Sequence, residues 1–207
     1  MSPALFDSWS DTYDRWFDTP SGRMVKDYES RILIEMTAPE PGDAILDVGC
    51  GTGLFTRDIL KADVRVTGVD LSVPMLTRAG QRLDRNRFFA SCCDMCALPF
   101  ADGQFDRLVS MTAIEFVADA DKAFAEFARV TKKGGSIVVA TLNSLSPWAD
   151  RRRKSAGAGH SLFADIYFRS PDEMRALVTE GARDDADIRT AIHFEKDAPV
   201  DQIPEIE

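Results

Sequence analysis

"ILDVGCGTGLF", residues 45–55, is a short apolar run that passes through Gly49-Cys50-Gly51-Thr52-Gly53 into a helical pattern. Glycine takes positive φ without steric cost and lets a backbone approach a ligand with no Cβ in the way. The helix that follows supplies free amide donors and a partial positive charge. An ordinary strand-to-helix turn needs one such glycine. Three alternating glycines behind Asp47 read instead as a ligand cradle at the carboxyl end of a strand.

Working outward, strands alternate with helices. "AILDVG" (44–49) is a strand, "LFTRDILKA" (54–62) a helix, and "VRVTGVD" (64–70) a strand. "SVPMLTRAGQRLD" (72–84) is a helix that Ser72 can cap. "RFFAS" (87–91) and "FDRLVSM" (105–111) are strands. "DADKAFAEFARVTKKGG" (119–135) is expected to be helical, with lysines in its last turn and glycines ending it. "SIVVATL" (136–142) is an apolar strand of the kind buried on both faces. "SPDEMRALVTEG" (170–181) opens with a capping box, Ser170 to Glu173, and Pro171 at N1. "ADIRTAIHF" (186–194) is expected to be a last strand. Upstream, Met24, Tyr28, Ile32 and Met36, with Val25 and Leu33 beside them, mark one apolar face of a helix that "APEPGDA" (38–44) breaks. The pattern is that of a doubly wound, mainly parallel α/β sheet. Such a sheet binds its ligand outside the carboxyl ends of its strands, where strand order reverses.

The chain has 207 residues, enough for one domain with a sizeable core. A single domain over 1–207 is expected to comprise an N-terminal helical cap (1–40), a cofactor-binding core (44–142), a lid-like insertion (143–170) and a C-terminal helix with strands (170–207). Its formal net charge of -9 disfavours phosphate backbones and anionic membranes, so no nucleic-acid partner and no stable membrane insertion are expected. No apolar run approaches the roughly 20 residues that span a bilayer. "MSPALFDSWSDTYDRWF" lacks the basic and apolar regions of a secretory signal, so a cytoplasmic location is expected, as a monomer or homodimer. "RRRKSAGAGH" (151–160) reads as a mobile loop.

"ASCCDMCALPF" (90–100) gathers Cys92, Cys93 and Cys96. Cys93-x-x-Cys96 is the spacing of a metal knuckle or a redox pair. A structural zinc site wants four closed ligands, and Cys50 belongs to a different loop, so no metal is expected.

Asp70 ends the second strand about twenty residues beyond Gly49, where an acid reaches the ribose hydroxyls of a nucleoside cofactor. The loop is G-x-G-x-G, not the G-x-G-x-x-G of dinucleotide enzymes. "LDVGCGTG", "VTGVDLSVPML", "CCDMCALPF" and "FDRLVSMTAIEFVADADKAFAEFARVTKKGGSIVVATLN" occur in that order over about residues 45–143. Together they resemble the successive motifs of class I S-adenosylmethionine-dependent methyltransferases, in the branch of the ubiquinone/menaquinone-biosynthesis enzymes. The resemblance implies a Rossmann-like sheet of the seven-stranded type, and "EKDAPVDQIPEIE" (195–207) carries no strand pattern for its final strand.

It implies S-adenosyl-L-methionine as cofactor, S-adenosyl-L-homocysteine as product and a small-molecule acceptor. Asp47, Gly49, Cys50, Gly51 and Gly53 would hold the methionine and ribose portions, and Asp70 both ribose hydroxyls. Leu71 or Met75 would pack on the adenine, Asp94 would bind its amine with Met95 alongside, and Thr112 would face the methionine portion. Tyr13-Asp14 matches a "YD" that covers the methionine end in relatives. Where relatives carry a histidine after the fourth strand, this chain has Glu115-Phe116, so Glu115 is the candidate base. His160 and His193 are weaker candidates. Trp16, Phe116, Trp148, Arg152 and Tyr167 are candidate acceptor contacts. A nicotinamide-dinucleotide oxidoreductase on a similar sheet, and a non-catalytic protein that binds S-adenosylmethionine, are the alternatives.

Overall fold

The structure is a computed structural model that describes residues 4–157, 166–182 and 186–193. After two short 3-10 turns (Asp7–Trp9 and Tyr13–Asp18), α1 runs Pro20–Thr37 and β1 Ala44–Val48. Then come α2 (Thr56–Ile59), β2 (Arg65–Asp70), α3 (Val73–Arg82), β3 (Phe88–Cys92) and β4 (Phe105–Met111). α4 (Ala120–Val130), β5 (Thr131–Ala140), α5 (Pro147–Gly157) and α6 (Pro171–Leu177) complete the order. Caps explain the helix starts: Thr19, Ser72 and Asp119 each accept an amide of the first turn, and Ser170 and Glu173 form the expected reciprocal box.

The sheet order is β3-β2-β1-β4-β5, and every pair is parallel. β1 alternates its sides: Ile45 joins a cluster with Leu33, Ile59, Ala79 and Leu83, whereas Leu46 and Val48 join Phe124, Phe127, Ile114 and Val130. Helices α1, α2 and α3 therefore cover one face and α4 and α6 the other. Strand order reverses between β1 and β4, which opens a crevice above their carboxyl ends.

Several expectations are corrected. The described residues contribute five strands to the sheet, all parallel. Residues 186–193 of "ADIRTAIHF" form no strand, and Ile192 near their end sits at φ +63, outside the extended region. Residues 194–207 lie outside the described residues, as do His160 and Phe163. The helix expected over 119–135 ends at Val130. Thr131 turns to φ −87, ψ 137, caps the helix by donating its hydroxyl to the Phe127 carbonyl at 2.7 Å, and starts β5. The Lys132–Gly135 stretch is absorbed as a register shift: Phe105 faces Thr131, and Arg107 faces Ser136. Arg151–Gly157, read as loop, belongs to helix α5. α2 is shorter than 54–62, with Leu60–Ala62 a 3-10 turn.

On α1 the fully buried row is Gly22, Val25, Ser30, Leu33 and Thr37. Met24, Tyr28, Ile32 and Met36 are only half-buried flanks. α1 is thus a layer of the sandwich as well as part of the cap. Its Lys26 and Ser30 hold the buried Asp58 of α2, with Ser30 at 3.0 Å.

Candidate active site

One continuous cleft of about 1450 Å³ runs above the strand ends, lined among others by Gly49, Gly51, Asp70, Met75, Asp94, Thr112, Glu115 and Trp148. That exceeds what a small ligand fills. The cleft continues past residues 131–140 of β5 and past 186–193.

The cradle follows from backbone geometry. Gly49, Gly51 and Gly53 take φ of 72, 53 and 74. A Cβ on Gly49 would lie 2.3 Å from Ala113 Cβ, and one on Gly53 would lie 2.7 Å from Leu83 Cδ1. Both glycines therefore let the loop pack. Nothing stands within 4 Å of a Cβ on Gly51, whose bare backbone faces open space. Gly53 does not line the cleft, so the resemblance-based set divides into one exposed glycine and two packing ones. Gly68 on β2 is a packing glycine as well, with the Phe88 ring and Cys50 Sγ where its Cβ would go.

Asp70 accepts the Gly51 amide at 2.9 Å and the Ser72 amide at 2.8 Å, which ties the end of β2 to the cradle. Burial raises its pKa, opposed by those amides. Asp47 is buried and takes the Thr56 hydroxyl. Burial pushes it up to about 7, with the Asp70 charge adding to the rise. Asp47, Cys50 and Tyr13 line a small pocket of about 30 Å³ beside the cradle.

Leu71 is 58% exposed and lines the cleft with the buried Met75. Asp94 turns back to accept the Cys96 amide at 2.8 Å, with Cys93 and Met95 beside it on the cleft wall. All four cysteines are free, and burial drives Cys93 and Cys96 each to about 11, so neither thiol is activated. Among the described residues no group of three or more His, Cys, Asp or Glu side chains could hold a metal ion.

Thr112, just beyond β4, has φ +47. A β-branched residue there is strained, by about 1–3 kcal/mol. Its amide donates to the Ala140 carbonyl of β5 at 2.9 Å, and its side chain acts to lower the pKa of the Tyr13 phenol, against the burial that raises it. The strained turn sits at the point where the strand order reverses.

The residues before α1 form a cover. Asp14 accepts the Thr52 hydroxyl at 2.7 Å and pairs with Arg82, which also donates to the Thr52 carbonyl at 2.9 Å. Phe6 meets Phe116 edge-on at 4.9 Å, and Trp16 meets Trp148 of α5 at 5.9 Å. Tyr13, Trp16, Phe116, Trp148 and Arg152 all line the cleft. Tyr167 does not: it is 44% exposed, and its amide donates to the Glu115 carbonyl at 2.7 Å.

Glu115 is 0% exposed on the 3-10 turn Ile114–Phe116. Burial pushes it up to about 7, opposed by Arg152 and by the Thr141 hydroxyl 3.2 Å from Oε2. Sequence reasoning missed three participants here. Glu29 of α1 faces the same cleft and is likewise raised to about 7 by burial, against Arg152. Thr141 is the second. Arg169, the third, donates to the carbonyls of Ile114, Tyr167 and Val117 at 3.1–3.2 Å and so fixes the Glu115 turn. Glu29 carried a weak signal, a lone acid beside an apolar helix row; Arg169 carried none.

The parallel sheet and its flanking helices define a Rossmann-like methyltransferase fold with a cleft above the strand ends. The methyltransferase domain family matches residues 46–139. The demethylmenaquinone methyltransferase of Renibacterium salmoninarum is 35% identical over 137 residues, covering 66% of this chain and 56% of that protein. The malonyl-acyl-carrier-protein O-methyltransferase of Serratia marcescens is 35% identical over 130 residues, covering 62% and 50%. Among solved structures, a SAM-dependent methyltransferase of Thermotoga maritima, described as a possible histamine N-methyltransferase, superposes with a TM-score of 0.68 at 24% identity. That match covers 86% of this chain and 78% of the other. The sheet core thus matches the methyltransferase domain family, and the chain is similar to these quinone and acyl-carrier enzymes. It spans little more than half the length of those two curated relatives.

Proposed function

We propose that the chain transfers a methyl group from S-adenosyl-L-methionine to a small-molecule acceptor by in-line displacement. The observation that carries this reading is the meeting of the bare Gly51 cradle, Asp70 and the strained Thr112 around one crevice. A cradle without a Cβ neighbour, closed by a carboxylate, fits a nucleoside bearing free hydroxyls. In this reading Asp70 holds the ribose, Asp94 the adenine amine, and Leu71, Met75 and Met95 flank the ring. Gly49, Gly51 and Thr112 carry the methionine portion, which Tyr13 covers.

The bound sulfonium supplies an already activated methyl group. The chain's part is then to align a nucleophile and exclude water, tasks that fall to the cover and to α5. Glu115 is placed to accept a proton from an acceptor that must lose one. A cytoplasmic monomer or homodimer that does not act on nucleic acid is part of the same proposal.

Isothermal titration with S-adenosylhomocysteine, followed by transfer of labelled methyl groups to an acceptor panel, tests the reading. Binding is expected, weakened about 10- to 100-fold in Asp70→Ala, since hydrogen bonds to a charged group are worth about 1.5–3 kcal/mol. Tight binding of NAD(P) without S-adenosylhomocysteine would sink it in favour of an oxidoreductase. Cofactor binding with no transfer would leave a non-catalytic binding protein.

A further inference from the structure

We propose that Glu29 and Glu115 form a cation-recognising pair that selects, as methyl acceptor, a basic amine carried on a ring-sized apolar body. This rests on the methyltransferase reading and names its substrate class.

The starting point is an unmatched atom. Glu115 is fully buried, Oε2 takes the Thr141 hydroxyl, and Oε1 accepts no hydrogen bond among the described residues. A buried carboxylate oxygen without a donor is costly, so the site is built for a donor that arrives with the ligand. The residue lines the cleft, and so does Glu29 from α1. The two acids come from separate elements, α1 and the turn after β4, and the Glu115 charge acts on Glu29.

Positive charge here is scarce. Arg152 opposes both carboxylates and the Tyr13 phenolate. Arg169 also acts on Glu115, but its guanidinium is engaged by three backbone carbonyls. Both acids therefore depend on Arg152, while Arg169, which also lines the cleft, spends its donors on the backbone. An anionic acceptor would bring a third negative charge into this environment. A neutral ether or ketone would leave Oε1 without a donor. An ammonium supplies both the donor and the charge. The walls agree: Trp16, Trp148 and Phe116 line the same space, and aromatic faces hold apolar rings and attract cations.

The chemistry balances without a further reactant. The carboxylate pair, raised to about 7, takes one proton from the bound ammonium. The freed amine lone pair attacks the methyl carbon. The C–S bond breaks with its electron pair staying on sulfur, and the product is a methylated ammonium. The proton left on the pair returns to water.

The test uses two probes of nearly equal shape, 2-phenylethylamine and 3-phenylpropionate, titrated into the full chain saturated with S-adenosylhomocysteine. The amine is expected to bind at least tenfold more tightly than the carboxylate. That preference is expected to fall at least tenfold in Glu115→Gln and in Glu29→Gln, with S-adenosylhomocysteine affinity unchanged within about twofold. Equal or tighter binding of 3-phenylpropionate overturns the inference, as does an amine preference that survives both substitutions. Failure of both probes to bind a protein that takes up S-adenosylhomocysteine overturns the amine site alone. Failure to take up S-adenosylhomocysteine overturns the underlying reading with it.

Discussion

The two ends of the cleft are built in different ways. The end beneath Gly51 and Asp70 comes from consecutive chain, one strand–loop–helix unit and the strand beside it, and its features are backbone features: positive φ and close approach. The end around Glu115 is assembled from six separated pieces: the cover before α1, α1 itself, the turn after β4, Thr141 beyond β5, Arg152 of α5 and the returning segment around Arg169. Its features are electrostatic: buried acids, a shared guanidinium and an unmatched oxygen. A binding surface common to many relatives can be encoded locally. A surface assembled from distant parts of the chain is not fixed by the sheet, so fold and cofactor leave the substrate open.

The sharpest way to break the contrast is Gly49→Ala. Its Cβ would lie 2.3 Å from Ala113 Cβ at φ +72, so the loop must move. The expected result is a loss of S-adenosylhomocysteine affinity of about 100-fold or more, with a destabilised fold in urea titration, since overpacking and backbone strain each cost about 1–3 kcal/mol.

Next comes pH. If Glu115 must be ionised, kcat/KM falls about tenfold per pH unit below about 7 and levels off above it. Stability moves the other way. Asp47, Glu29 and Glu115 are raised to about 7 in the fold, so the folded state holds more protons than the unfolded chain between about pH 4 and 7. Their contribution is fully present below about pH 4 and is lost as pH rises through 7. Asp58 and Asp106 are lowered by lysine partners, and their contribution is lost only as the pH falls below the usual carboxylate range. The melting temperature is therefore expected to drop from pH 4.5 to 7.5, and Glu115→Gln to flatten both curves.

A smaller effect tests the seam between the two ends. Arg82→Ala removes the tie from α3 to Asp14 and Thr52. Partly exposed pairs contribute about 1 kcal/mol or less, so KM for the cofactor should rise about three- to fivefold while the core melts within a few degrees of the parent. Gly51→Ala meets no atom within 4 Å, so no neighbour has to move. Only the left-handed backbone is penalised, by about 1–2 kcal/mol. Thermal melting should show a drop of about 2–8 °C, and a cofactor affinity that falls more than the stability would mark Gly51 as the bare face of the cradle.

Much of this was legible in one dimension. Gly49, Gly51, Asp70 and Asp94 stand in a fixed order at strand ends, and each acts through its own backbone neighbourhood. The capping residues Ser72 and Ser170 were equally readable, because a cap is a local hydrogen bond. Where local rules misled, a longer-range pairing prevailed: β5 recruits Thr131 against Phe105 and overrides the helical pattern of 119–135. Gly53 illustrates a subtler limit, since the motif names it but only Leu83, thirty residues on, shows that it serves packing.

Sequence by itself determined the alternating parallel architecture, the cradle and the carboxylates that close it, because periodicity, glycine freedom and strand-end position are properties of contiguous residues. Only the tertiary structure decided that Glu29 meets Glu115, that Arg169 fixes the turn which buries it, and that Tyr167 faces away. Burial and charge balance depend on which distant segments share a space, and nothing in the local order of residues specifies that.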